Sequence, residues 1–157
     1  MRMTALAVCS ALALAACGDQ SDKAEVAATA APAAAAAVLS GVDLKQPLRA
    51  LGTEPFWSVE LTGSEMIFSS PEEAGLRAPQ PAPVMQGTIA IYESAVQSQE
   101  FKVTLTATEC SDGMSDRTYP LTAIVKLGDR TLTGCAATVA SITGSGEAGA
   151  VAEAPAT

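Results

Sequence analysis

Phe101-Lys102-Val103-Thr104-Leu105-Thr106-Ala107-Thr108 is the stretch that decides the fold. Apolar and polar residues alternate along it, the pattern of a strand with one face buried and the other in water. A helix needs a 3.6-residue apolar repeat, and no stretch between 44 and 137 has a convincing one. Downstream, Leu121, Ala123, Val125 and Leu127 alternate in the same way, with Ile124 apolar on the opposite face. Gly128-Asp129 is a hairpin turn and residues 130–136 a return strand, so Val125 should pair with Leu132 and Thr122 with Cys135. Upstream, Trp57, Val59 and Leu61 share one face, and Ser58 and Glu60 the other. A two-residue turn at Gly63-Ser64 would pair Leu61 with Met66 and Val59 with Phe68, keeping that face apolar. A further strand is expected from about Met85 to Tyr92. Pro71, Pro79, Pro81 and Pro83 cannot sit inside a central strand, so residues 71–82 are expected as a long loop. The expected class is all-β: a small antiparallel β-barrel or strongly bent sheet of about six strands, closed enough to hide its edges.

The apolar content of 48% overstates the core, because 32 of the 157 residues are Ala. The stretch that can pack, residues 44–137, is one small domain. A net charge of −8 argues against nucleic acid or anionic lipid as an electrostatic partner. The chain has no His, which removes the commonest general base and metal ligand and with it any Ser-His or Cys-His catalysis. Lys45, Lys102 and Lys126 lie in no S-x-x-K pattern. Calcium at Glu109, Asp112 and Asp116 would lack the EF-hand spacing. A glycosidase-like pair of Glu54 with Asp112 or Asp116 would need a wide sugar cleft, which so few aromatics hardly build. The reading is therefore of a non-enzyme without catalytic residues, metal or cofactor.

The flanks carry different information. Residues 1–16 have a short positive start at Arg2 and an uncharged run from Thr4 to Ala16, too short to cross a bilayer and fit for an export signal. Leu14-Ala15-Ala16-Cys17-Gly18 resembles the bacterial lipobox. That resemblance implies cleavage before Cys17 and acylation of Cys17 by three chains, enough for a permanent membrane anchor. Gly18, rather than Asp, implies the outer membrane, with the domain facing the periplasm. Residues 17–43, Ala-rich and interrupted by Pro32, read as a tether. Residues 138–157 read as a low-complexity tail unable to offset its ordering entropy. Its Gly144-Ser145-Gly146-Glu147-Ala148-Gly149 matches G-x-G-x-x-G but lacks the βαβ context of a dinucleotide site.

On the reading that the lipobox resemblance implies, Cys9 leaves with the signal and Cys17 is the anchor, which leaves Cys110 and Cys135. An even pair in an exported chain implies a disulfide. Strand parity puts both residues on the outer face, with Cys135 beside Thr122 and Lys126. The bridge should then tie the loop 111–118 to the last strand from outside.

Two strings carry a family resemblance. Gly52-Thr53-Glu54-Pro55-Phe56-Trp57 fits G-x-E-P-x-W, and Cys110-Ser111-Asp112-Gly113-Met114-Ser115-Asp116-Arg117-Thr118-Tyr119-Pro120 with Gly134-Cys135 fits C-x-D-x-M-S-x-x-x-Y-P … G-C. Over residues 48–136 the chain is similar to a family of uncharacterised bacterial envelope proteins, labelled predicted membrane protein or putative lipoprotein. Some of its members are fused to META-like or lysozyme-inhibitor-like modules. The resemblance implies an all-β envelope domain and no particular activity. Read physically, Glu54, Trp57, Asp112, Ser115, Asp116, Arg117 and Tyr119 form the candidate binding surface. Trp57, however, has the place of a core anchor, and the 111–118 loop that of a turn bonding its own backbone. Glu54 has Arg49 and Arg117 as candidate partners. The function expected is that of an envelope-anchored, non-enzymatic module contacting an envelope protein or cell-wall component. A periplasmic inhibitor of a cell-wall hydrolase such as lysozyme is one alternative, since an acidic domain suits a basic target; a carboxylate-based enzyme is the other.

Overall fold

A computed structural model describes residues 37–151. The stretch expected as signal, Cys17 and most of the stretch expected as tether lie outside them. In chain order the strands are β1 (Val38–Leu39), β2 (Val42–Asp43), β3 (Leu48–Thr53), β4 (Phe56–Leu61), β5 (Glu65–Ser69), β6 (Leu76–Pro79), β7 (Val84–Gln86), β8 (Ile89–Val96), β9 (Gln99–Thr106), β10 (Cys110–Ser111), β11 (Asp116–Tyr119), β12 (Leu121–Leu127) and β13 (Arg130–Thr138). A short helix, α1 (Val139–Gly144), and β14 (Ala148–Ala150) follow.

Nine strands form one antiparallel sheet in the order β6-β5-β4-β3-β13-β12-β9-β8-β7. The sheet curls into a half-barrel until β6 lies against β8 across the seam, without hydrogen bonds closing it. The expected closure of all edges is thus corrected: β6 and β7 remain edges. Their prolines fit this position, with Pro79 ending β6 and Pro81 and Pro83 preceding β7, because an edge strand tolerates the lost donor.

The registers read from alternation are present: Val125 opposite Leu132, Thr122 opposite Cys135, Leu61 opposite Met66 and Val59 opposite Phe68. Two expectations are corrected. Residues 71–82 are not all loop, since β6 pairs with β5 within them. The strand expected from 85 to 92 is two strands, broken at Gly87-Thr88, and β8 runs on to Val96. β8 turns into β9 through Gln97 and Ser98, with φ of 51° and 65°. Such a turn is usually announced by Asn-Gly, and nothing announces it here.

The concave face holds the main core, including Leu48, Val59, Leu61, Met66, Phe68, Tyr92, Phe101, Val103 and Leu105. Tyr92 has no partner for its buried hydroxyl among the described residues, and burial pushes its phenol up to about 12.

Packing extends past both expected boundaries of the domain. Leu39 and Val42, assigned to the tether, are buried in the main core. The tail is corrected too. The Thr138 side chain caps α1 by accepting from the Ser141 amide at 3.1 Å. β14 then adds to β11 as a parallel strand. The tail supplies Ile142 and Val151 to a second, small core with Tyr119, Cys135 and Ala137 on the convex face. Two apolar side chains and one strand of ladder bonds outweigh a composition that reads as unstructured. The glycine string follows a helix and enters a strand, the reverse of a dinucleotide motif.

Candidate functional site

Three connections open at one end of the half-barrel: the β3–β4 turn at Glu54-Pro55, the β5–β6 loop at 70–75, and the β12–β13 hairpin leading to Arg130. They frame a cleft of about 610 Å³. Trp57, Phe68 and Leu132, all buried, form its floor; Pro55, Phe56 and Pro71 supply apolar walls. Glu54, Glu72 and Arg130 are its charged rim. Arg130 lies 5.3 Å over the Phe68 ring and is ion-paired with Glu73. The Glu54–Pro55 peptide bond is cis.

The floor explains the glycines of the two strings. Trp57 pairs with Gly52 across β3 and β4, and Cys135 pairs with Leu51, so Gly134 is the next residue of β13 beside Gly52. The indole lies over both. A Cβ on Gly52 would be 2.6 Å from Trp57 Cε2. One on Gly134 would be 2.9 Å from Trp57 Cζ2 and would also strike the Leu51 carbonyl. An aromatic covering strand glycines restores packing that the missing side chains forfeit. The indole N–H has no acceptor among the described residues.

The residues of the 110–119 loop are placed differently. Asp112 Oδ1 accepts from the Met114 and Ser115 amides at 3.0 and 2.8 Å. Its Oδ2 accepts from the Ser115 hydroxyl at 2.7 Å and the Tyr119 hydroxyl at 3.2 Å. Burial would raise the Asp112 carboxyl, but these hydrogen bonds outweigh it and hold the group below its ordinary value. The carboxylate is thus the acceptor that closes its own turn. No group of three metal-ligating side chains occurs among the described residues. Arg117 donates to the Gly146 and Ser145 carbonyls at 2.7 and 3.3 Å, tying the loop to the tail.

The candidate surface is therefore corrected. Tyr119 is buried and Trp57 lies on a cleft floor, so neither is exposed. Asp112, Ser115 and Tyr119 form one network, and Asp116 is exposed on β11. Glu54 takes neither expected partner: Arg49 pairs with Glu60, and Arg117 with carbonyls. A hydrogen bond from Thr53 Oγ1 to the Asp112 carbonyl at 2.9 Å helps to join the two regions.

The disulfide between Cys110 and Cys135 is formed, with Cα atoms 5.4 Å apart. It sits on the outer face, as parity requires, yet Cys135 is fully buried because the tail covers it.

Sequence reading missed Phe56, Phe68, Ser70, Pro71, Glu72, Arg130 and Leu132 as cleft residues. Their one signal is topological: in a run of hairpins, alternate turns emerge at the same end.

Comparison of the chain with known protein families, with curated proteins and with solved structures finds no match to any of them.

Proposed function

We propose that this chain is a lipid-anchored, non-enzymatic binding module of the bacterial cell envelope, and that the cleft beside Trp57 holds its ligand. The cleft carries the reading. Its volume of about 610 Å³ is that of a ligand pocket, and its lining is mostly apolar with a few polar groups at the rim. The Cys110–Cys135 bridge suits an oxidising compartment. The lipobox-like string at Cys17 and the two family-like strings support the same location. Of the acids offered for carboxylate chemistry, Glu54 and Asp112 line one small cleft, and the hydrogen bonds that Asp112 accepts within its own turn support a structural role for it.

The test uses the chain's single Trp. The neutral probe N-phenyl-1-naphthylamine, titrated into the exported Cys17→Ser chain, should quench Trp57 saturably. Ser70→Leu, which narrows the cleft without adding a second indole, should weaken that binding; saturable quenching unaffected by it would place the ligand elsewhere, and no quenching would remove the reading. A hydrolase inhibitor is the second reading, favoured by the net charge of −8. It predicts slower lysis by lysozyme in the presence of micromolar protein.

A further inference from the structure

Resting on the cleft reading, we propose that its occupant is a protein segment that presents an apolar side chain beside a Lys or Arg. The charge around the cleft is one-sided. Its single cation, Arg130, is neutralised by Glu73. Four other cations are likewise taken, Arg49 by Glu60, Arg77 by Glu65, Lys102 by Glu93 and Lys126 by Glu100. Glu54 and Glu72 are exposed, line the cleft and form no ion pair among the described residues. A ligand entering here meets two carboxylates at the rim and an apolar floor beneath them, which complements a cation adjoining an apolar group.

The surroundings favour a protein segment over a small cation. Phe56, 56% exposed, stands at the cleft wall. Met114, 66% exposed, lies with Glu54 along a second cleft on the other side of the β3–β4 turn. The Thr53–Asp112 bond holds these two loops together. Aromatic and Met side chains exposed around an acid-rimmed pocket, on two loops rather than within one cleft, have the composition of an interface centre.

The probes are three blocked pentapeptides with central Lys-Phe-Lys, Glu-Phe-Glu or Lys-Gly-Lys, titrated against Trp57 fluorescence of the exported Cys17→Ser chain. Lys-Phe-Lys should bind about tenfold more tightly than either of the others, and more weakly as salt rises from about 50 to about 500 mM. The double variant Glu54→Gln, Glu72→Gln should lose about tenfold in affinity for Lys-Phe-Lys while still binding the neutral naphthylamine, which shows its cleft is intact. Equal binding of Glu-Phe-Glu overturns the charge preference, and equal binding of Lys-Gly-Lys overturns the apolar anchor. If no peptide binds while the naphthylamine does, this inference fails and the cleft reading stands. If neither binds, both fail.

Discussion

The two faces of β13 are covered by different means. On the concave side, Leu132 and Ala136 face a core to which eight of the sheet's nine strands contribute, β7 being exposed, and whose inward residues on the long strands follow from alternation. On the convex side, Thr131 and Thr133 are exposed, while Cys135 and Ala137 are buried beneath a disulfide, a short helix and a three-residue strand. One strand thus has a large continuous core on one face and a small stapled patch on half of the other. The inner core gains stability from area, and the outer patch, with few side chains to bury, leans on a covalent bond.

The largest expected effect lies on the inner face. Phe101→Ala should cost about 4 kcal/mol in urea unfolding, because a fully buried ring leaves a cavity that the sheet cannot collapse to fill. A loss below about 1 kcal/mol would mean that this core is not the main source of stability. Next comes the staple. Replacing both Cys110 and Cys135 by Ser should cost about 3 kcal/mol, from a bridge spanning 25 residues. A cost exceeding that of Phe101→Ala would reverse the ranking of the two faces.

Val151→Ala sharpens the comparison. Removing two buried methyl groups should cost about 1.5 kcal/mol and speed reduction of the disulfide by dithiothreitol, since Val151 helps to cover Cys135. An unchanged reduction rate would show that the tail does not protect the bridge.

Tyr92→Phe should stabilise the chain by about 1 kcal/mol at neutral pH, since it removes a buried hydroxyl without a partner among the described residues. The same variant has a pH signature. Burial raises the folded phenol from 10.0 to about 12, so the folded state holds its proton where the unfolded state releases it. This contribution is complete below pH 10.0 and is lost as pH rises toward about 12. The Phe variant should lack that alkaline loss in a Tm-against-pH series.

The smallest effect belongs to the outer loop. Asp112 is held below the ordinary value of 3.8, so its charged form favours folding above that pH and the contribution is lost as pH falls through its lowered value. Asp112→Asn should flatten the acid limb of the same series slightly, and an unchanged limb would show that the loop network is uncoupled from unfolding.

Much of the sheet was legible because a period of two and a hairpin turn together fix register, as at Gly63-Ser64 and Gly128-Asp129. The Gln97-Ser98 turn and the short edge strands were not. The turn has positive φ without Gly or Asn, and the edges owe their place to neighbours rather than to pattern. The Trp57 floor was half legible. Parity puts the ring inward, but only the pairing of three strands sets it over Gly52 and Gly134.

By itself, the sequence determined the inward and outward faces of the long strands, because alternation is a local property, and the Cys110–Cys135 bridge, because these are the two cysteines of the strand-forming stretch. The tertiary structure alone decided that a Gly- and Ala-rich tail folds, and that Glu54, Glu72 and Arg130 meet around one cleft. Both depend on which turns of a curled sheet arrive at the same place, and that is settled by strand order across residues far apart in the chain.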